Sequence, residues 1–167
     1  MNEHTVRTTV LLVRHGECRG NIEGLFRGRV DFPLNETGLR QAEEVAAELA
    51  PFRPEAVFTS PLLRAKKTAE AISAVSSAYL VVDEGFNNTC LGTWEGRLKT
   101  EIAAEYPEQW RLWLENPEVL SIDGAETMDD VLERSLKSLD RIVEKFGGKT
   151  IAVVTHRTVI KPLLAGC

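Results

Sequence analysis

Four short apolar segments constrain the fold of this chain more than any other feature of its sequence. They cover residues 8–13, 56–59, 79–82 and 150–155. Each is rich in β-branched or aliphatic residues and free of charge, which is typical of strands buried on both faces of a parallel sheet. The sequence therefore predicts four strands that lie far apart along the chain.

The stretches between these segments have the period of amphipathic helices. One begins near Leu39, another covers residues 62–75 after a typical helix start at Ser60-Pro61, and a third covers residues 128–146. Residues 97–113 predict additional helix that is interrupted near a proline. Strands that alternate with helices of this length predict an α/β fold, a three-layer α/β/α arrangement with a mostly parallel central sheet.

Length and charge exclude several classes of protein. At 167 residues the chain can bury one sizeable core, and no repeat or flexible linker divides it, so residues 1–167 are expected to form a single domain. The net charge of −5 offers no global positive field for nucleic acid or an acidic membrane surface. No apolar stretch approaches the ~20 residues that span a bilayer, and the polar N-terminus lacks a secretory pattern. We therefore expect a cytoplasmic protein that binds neither nucleic acid nor membrane.

Two histidines follow predicted strands at the same end of the expected sheet. His15 comes directly after the first apolar segment and its arginine, and His156 directly follows the last segment. Because the carboxyl ends of parallel strands meet at one edge, where open sheets bind ligands, these histidines can be neighbours although 141 residues separate them. His4 is expected in a frayed N-terminus and is given no role.

Arginines near the same edge predict an anion as the ligand. Arg14 precedes the first histidine, and Arg64 lies near the expected start of the second helix, where backbone amides also favour anions. Guanidinium groups offer paired donors that match phosphate oxygens. The sequence therefore predicts an organic phosphate as ligand.

Other residues near these segments have open interpretations. Solvated surface is favoured for each of five further cations, namely Arg27, Arg29, Lys66, Lys67 and Arg157. Core packing is favoured over a pocket wall for three aromatic residues, Tyr106, Trp110 and Trp113. Residues 22–32 and 85–113 are expected to supply the pocket walls. The three cysteines have no paired spacing, which favours reduced thiols.

Six blocks in register resemble the histidine phosphatase superfamily, also called the phosphoglycerate mutase-like family. The blocks are residues 12–17 with Asn21, 28–34 with 37–42, 59–65 with 68–69, 92–96, 124–127 and 153–156. The resemblance covers most of the chain and implies a phosphoglycerate mutase-like α/β fold. It also implies a phosphomonoester hydrolase that acts on small molecules without a metal or other cofactor.

The resemblance also implies a role for each matching residue. His15 would attack phosphorus and form a phosphohistidine that water hydrolyses, while Arg14, Arg64 and His156 would hold the phosphoryl oxygens. The expected substrate-binding residues are Gly16, Glu17, Asn21 and Asn88. Activity is expected to fall as pH drops through the pKa of His15, whose unperturbed value is ~6.5.

The sequence departs from the family at the general acid. The family usually has a glutamate upstream of the block at residues 92–96, and alignment without gaps puts Asn88 there. Glu84 and Glu126 are the two candidate replacements. General acid catalysis contributes about 10²–10⁴-fold, and alkyl leaving groups need it most. We therefore expect aryl or acyl phosphates to be hydrolysed much better than sugar or serine phosphates.

A second departure is at the C-terminus. The family normally continues past residues 158–164 by roughly one more strand, whereas this chain stops at Cys167. A sheet edge left uncovered invites pairing with a second chain, so a homodimer is one expectation.

Two alternative functions stay open. A phosphoglycerate mutase-type phosphoryl transferase is the first, although the mutases used for comparison are longer and have insertions that close over the substrate. A degenerate family member that binds phosphorylated ligands without catalysis is the second, because Asn88 replaces the usual acid.

Overall fold

Four parallel strands form the central sheet of the computed structural model, which describes residues 7–166. They are β1 (Thr9–Arg14), β2 (Ala56–Thr59), β3 (Tyr79–Val82) and β4 (Thr150–Thr155). Their order across the sheet is β1-β4-β2-β3, so the last strand in sequence lies between the first two. The predicted parallel sheet is confirmed, and three strands have the predicted bounds, while β1 lies one residue later.

Seven helices occur in the part of the chain that the structure describes. They are α1 (Arg19–Ile22), α2 (Glu36–Leu49), α3 (Leu63–Ser76), α4 (Lys99–Glu105), α5 (Pro107–Glu115), α6 (Met128–Lys145) and α7 (Arg157–Gly166). The interruption predicted near Pro107 separates α4 from α5. The predicted cap at Ser60 is wrong, because α3 begins at Leu63 and the Ser60 hydroxyl instead accepts a long hydrogen bond from the amide of Leu62.

Helices cover both faces of the sheet, which confirms the three-layer fold. In β4, Ala152 and Val154 face the core formed with α2 and α3, whereas Ile151 and Val153 face the core formed with α6. These four side chains are fully buried. Full burial of an aliphatic side chain contributes about 1.5–3 kcal/mol, so β4 is anchored from both sides.

A separate aromatic core lies beyond the sheet, where α4 and α5 pack on the loops. Phe26, Trp94 and Ile102 are buried there, and Trp110 and Trp113 pack against them. The ring centroids of Phe26 and Trp113 are 5.1 Å apart with an edge-to-face angle of 83°. Such pairs add about 0.5–1.5 kcal/mol beyond burial, so this core fixes the loops against one another.

The outer strands of the sheet differ in exposure. All four residues of β3 are exposed, whereas β1 is mostly half-buried. Within residues 7–166, no helix is both long enough and apolar enough to cross a membrane. The expected homodimer, single domain and cytoplasmic location stay predictions, and both His4 and Cys167 lie outside the described residues.

Two glycines bring the turn after β1 against the first turn of α2. A methyl group added at Gly16 would come within 3.0 Å of the Gly38 backbone, and one added at Gly38 would come within 3.0 Å of the Glu17 backbone. Because the neighbouring atoms belong to the backbone, no side-chain rotation can make room.

We predict that Gly38→Ala lowers the free energy of unfolding by about 1–3 kcal/mol, the usual cost of overpacking. Gly147→Ala is the matched control, because its nearest neighbour would lie 4.0 Å from the added methyl group. Urea denaturation of both variants measures the difference. Equal stability of the two variants would contradict the close packing described.

Candidate active site

The two catalytic candidates lie at the ends of β1 and β4. Arg14 pairs with Thr155 across these strands, and the amide of His15 donates to the Thr155 carbonyl at 3.1 Å. His15 and His156 therefore leave the sheet side by side, with ring centroids 5.0 Å apart. Only 6% of His15 and 2% of His156 is exposed.

The hydrogen bond of His15 fixes which of its ring nitrogens carries the proton. Nδ1 lies 2.6 Å from the Gly16 carbonyl oxygen. A carbonyl oxygen only accepts hydrogen bonds, so Nδ1 must be the protonated donor. In the neutral ring, Nε2 then keeps its lone pair, which is the state that a nucleophile needs.

Burial and nearby cations keep both rings neutral. Burial and, to a smaller extent, the positive charges of Arg64, Arg27 and Arg14 lower the pKa of His15 to about 3 against the opposing effect of the Gly16 bond. Burial also lowers the pKa of His156 well below 6.5, with His15 and Arg64 contributing. We therefore expect the predicted fall in activity, at the pKa of His15, to occur far below pH 6.5.

A cavity of about 290 Å³ lies on one side of His15. Arg14, Glu17 and Asn21 line it, which brings three predicted site residues together. The Asn21 side-chain oxygen accepts from the amide of Cys18, and Glu17 accepts from the side-chain amide of Asn35. The predicted binding residue Gly16 does not line either of the two cavities described here. Its carbonyl holds the imidazole of His15 instead.

Arg64 is fully buried beside this cavity without lining it. Its two terminal nitrogens donate to the carbonyls of Val30 and Gly28 at 2.9 and 3.0 Å, and its Nε has no partner among the described residues. The anion-binding first turn predicted for α3 is partly occupied, because the amide of Leu63 donates to Asp31 at 2.7 Å.

A larger cavity of about 480 Å³ lies on the other side of the histidines. Residues 25–28 and six residues between positions 88 and 113 line it, as predicted for the pocket walls. Except for Glu126, the lining residues between positions 114 and 131 are not predicted from the sequence, nor are those of α7 other than Arg157. The sequence favours core packing for Trp110 and Trp113, and both prove to be core residues and cavity wall at once.

The interpretation of Arg27 as solvated surface is wrong, because this half-buried side chain lines the larger cavity. Arg157 lines the cavity too, but it is exposed, as expected of a surface residue. The charge of Arg27 lowers the pKa of both histidines and of Arg14 and Arg64. The sequence signal for this role of Arg27 is its position within residues 22–32, which are expected to supply a pocket wall.

Asn88, which stands at the position of the family's acid, and the two candidate replacements take different places. Asn88 is buried and lines the larger cavity. Glu126 lines it too, but it forms ion pairs with Arg29 and Arg134, each with a 2.9 Å contact. Glu84 is exposed and accepts from Asn87, and it lines neither of the two cavities. The catalytic role expected of Glu84 therefore has no support in this geometry.

The sequence of this chain is similar to those of known proteins. Residues 10–167 match the profile of the histidine phosphatase superfamily, branch 1. The bifunctional protein Rv2228c of Mycobacterium tuberculosis is 39% identical over 158 residues, which cover 94% of this chain and 43% of that protein. The metal-independent phosphoserine phosphatase of Arabidopsis thaliana is 34% identical over 159 residues, covering 93% of this chain and 67% of that protein.

A solved structure is similar over most of the chain. Bacillus stearothermophilus YhfR superposes with a TM-score of 0.92 at 32% identity, over 96% of this chain and 79% of that one. The described chain spans less than half the length of the Mycobacterium tuberculosis relative.

The lowered pKa values of the histidines predict loss of stability in mild acid. Below pH 6.5 the unfolded chain binds protons that the folded chain excludes, so the free energy of unfolding falls with falling pH. Each histidine contributes about half of 1.4 kcal/mol per pH unit at pH 6.5, and the slope approaches the full value about one pH unit lower. Urea denaturation at pH 7, 6 and 5 measures this slope.

His15→Gln is the comparison variant, because glutamine does not titrate. Carboxyl groups that are paired with arginine titrate in both the parent protein and this variant. The difference between the pH slopes of the two proteins therefore isolates the contribution of His15. We expect the variant to lose about half of the histidine-dependent slope. An unchanged slope would show that His15 is already protonated in the folded protein.

Proposed function

This chain belongs to the histidine phosphatase superfamily, and on that basis we propose that it is a metal-independent phosphomonoester hydrolase with His15 as its nucleophile. The observation that carries the proposal is the state of this imidazole. Its Nδ1 donates to the Gly16 carbonyl, and a pKa lowered to about 3 leaves Nε2 unprotonated at neutral pH. A site that only binds phosphate has no need of such a nitrogen.

The proposed reaction proceeds in two displacements. Nε2 of His15 attacks phosphorus, the bond from phosphorus to the ester oxygen breaks, and its electron pair leaves with that oxygen. Water then attacks phosphorus, the N–P bond breaks, and its electron pair returns to Nε2 as orthophosphate forms. Covalent catalysis divides one difficult displacement into two easier ones.

Cationic and polar groups around His15 supply the charge stabilisation that phosphoryl transfer requires. Arg14 lines the smaller cavity, and Arg64 and His156 lie beside the nucleophile, each with a buried nitrogen that lacks a partner among residues 7–166. A phosphoryl oxygen would satisfy such nitrogens, which otherwise cost about 1–3 kcal/mol each. Asn21 would bind the same group from the smaller cavity.

The relatives support this class of substrate. One relative is named as a phosphoserine phosphatase that needs no metal, and a similar structure is that of a mycobacterial glucosyl-3-phosphoglycerate phosphatase. Both names describe hydrolysis of a small phosphomonoester. We therefore propose a small phosphorylated molecule as the partner of this site.

We predict that His15→Ala lowers kcat/KM for phosphate release by about 10³-fold or more, since it removes the nucleophile. The measurement is orthophosphate release from a panel of sugar, serine, nucleoside and aryl phosphates. His4→Ala is the matched control, because sequence analysis gives that histidine no role.

Trapping of the intermediate separates the alternatives. Quenching the parent protein in base should retain a phosphoryl group that acid removes, and His15→Ala should retain none. Transfer between two positions of a phosphoglycerate without free orthophosphate would favour a mutase instead. The absence of both turnover and a trapped phosphoprotein would favour a non-catalytic binder and would overturn the proposal.

A further inference from the structure

The larger cavity lacks a neutral carboxyl group beside the nucleophile. When an ester oxygen leaves phosphorus it carries a negative charge, which a general acid normally neutralises. Asn88 and Glu126 are the amide and the carboxylate that reach this cavity from the loops facing His15. Their hydrogen bonds decide whether either of them can supply a proton.

Asn88 is fully engaged as an amide. Its Nδ2 donates to the Gly28 carbonyl at 2.7 Å, and its Oδ1 accepts from the Thr158 hydroxyl at 2.6 Å. The Gly28 carbonyl only accepts, which fixes the orientation of the amide. An amide does not titrate near neutral pH, so Asn88 holds the loop and transfers no proton.

Glu126 is held as an anion. Burial alone would raise its pKa, but hydrogen bonds from Arg134 and from the Cys90 amide, with the charges of Arg134 and Arg29, lower the pKa below its usual range. The two arginines contact it at 2.9 Å and the amide at 2.8 Å. An ionised carboxylate that is fixed in two ion pairs has no proton to donate at neutral pH.

Part of the wall of the same cavity is apolar. Phe26, Trp110 and Trp113 line it, and Leu120 and Ile122, which pack on the same aromatic cluster, line it too. The aromatic rings are packed edge to face against one another, so the wall is rigid. A flat apolar group buries against such a surface at about 25 cal/mol per Å² of area removed from water.

We propose that the natural substrates of this site are aryl phosphates, whose leaving group is apolar and is a weak base. The inference rests on the proposed function and names its substrate class. Nε2 of His15 attacks phosphorus, the P–O bond breaks, and the electron pair stays on the aryl oxygen, whose charge spreads into the ring. The aryloxide takes its proton from solvent after it leaves, so the enzyme supplies none.

The decisive comparison uses phenyl phosphate and benzyl phosphate. Both carry one aromatic ring, but benzyl phosphate releases an alkoxide, which is a far stronger base than phenoxide. We expect kcat/KM for phenyl phosphate to exceed that for benzyl phosphate by about 10²-fold or more, the lower limit of what a general acid contributes. A series of ring-substituted phenyl phosphates should show kcat/KM rising steeply as the leaving group becomes more acidic.

Binding by the apolar wall is tested separately with phosphoserine. Benzyl phosphate and phosphoserine both release an alkoxide, so their comparison isolates the aromatic ring from the chemistry. We expect a lower KM for benzyl phosphate. An equal or lower KM for phosphoserine would overturn the aryl assignment.

Asn88→Glu and Asn88→Gln form a matched pair of variants. Both lengthen the side chain equally, but only glutamate can supply a proton. Asn88→Glu should raise kcat/KM for benzyl phosphate by about 10-fold or more and narrow the gap to phenyl phosphate, whereas Asn88→Gln should not. If both variants unfold, the series of ring-substituted phenyl phosphates still tests the proposal on the wild-type protein.

Each failure has its own signature. Equal kcat/KM for phenyl and benzyl phosphate would overturn the inference and leave the phosphatase assignment intact. Lys99 and Lys161 also line the larger cavity. If Lys99→Met or Lys161→Met then removed only the benzyl phosphate activity, that lysine would be the proton donor. No phosphate release from any ester would overturn the proposed function and this inference with it.

Discussion

The parallel pairing of β1 with β4 is the interaction on which the rest of the site depends. Its register sets Arg14 opposite Thr155 and so delivers two imidazoles to one point from opposite ends of the chain. A slip of one residue would turn each side chain to the other face of the sheet, since side chains alternate along a strand. The full burial of Ile151 and Val153 on one face and of Ala152 and Val154 on the other prevents such a slip.

The positive charges of the arginines around His15 repel one another. Arg14, Arg27 and Arg64 form no ion pair with a described carboxylate, and each lowers the pKa of His15. Arg29 and Arg134, by contrast, are paired with Glu126. The unpaired set therefore stores repulsion that a bound anion would relieve, and the neutral imidazoles avoid adding to it. A ligand that binds only the folded state stabilises the fold by mass action.

The fold could be predicted from the sequence because its signals are local. Strand bounds followed from four uncharged apolar segments, and the positions of both histidines followed from strand ends. The wrong predictions concern tertiary contacts, which the helix or strand periodicity of the sequence does not encode. Ser60 resembles an N-cap, but its hydroxyl bonds to Nε2 of His156 instead. Arg27 resembles surface, yet it becomes a cavity residue because the segment around Phe26 folds onto the aromatic core.

The Gly28 carbonyl explains what an amide at position 88 gains when it replaces an acid. This one oxygen accepts from both Arg64 and Asn88, so it joins α3 to the loop after β3. Gly28 has a φ of +46°, a backbone conformation that favours glycine, and a side chain there would overlap the side chain of Glu95. An ionised carboxylate at position 88 would face this oxygen without a proton and be repelled, whereas an amide donates at every pH. The amide therefore holds the loop to the Gly28 carbonyl at every pH.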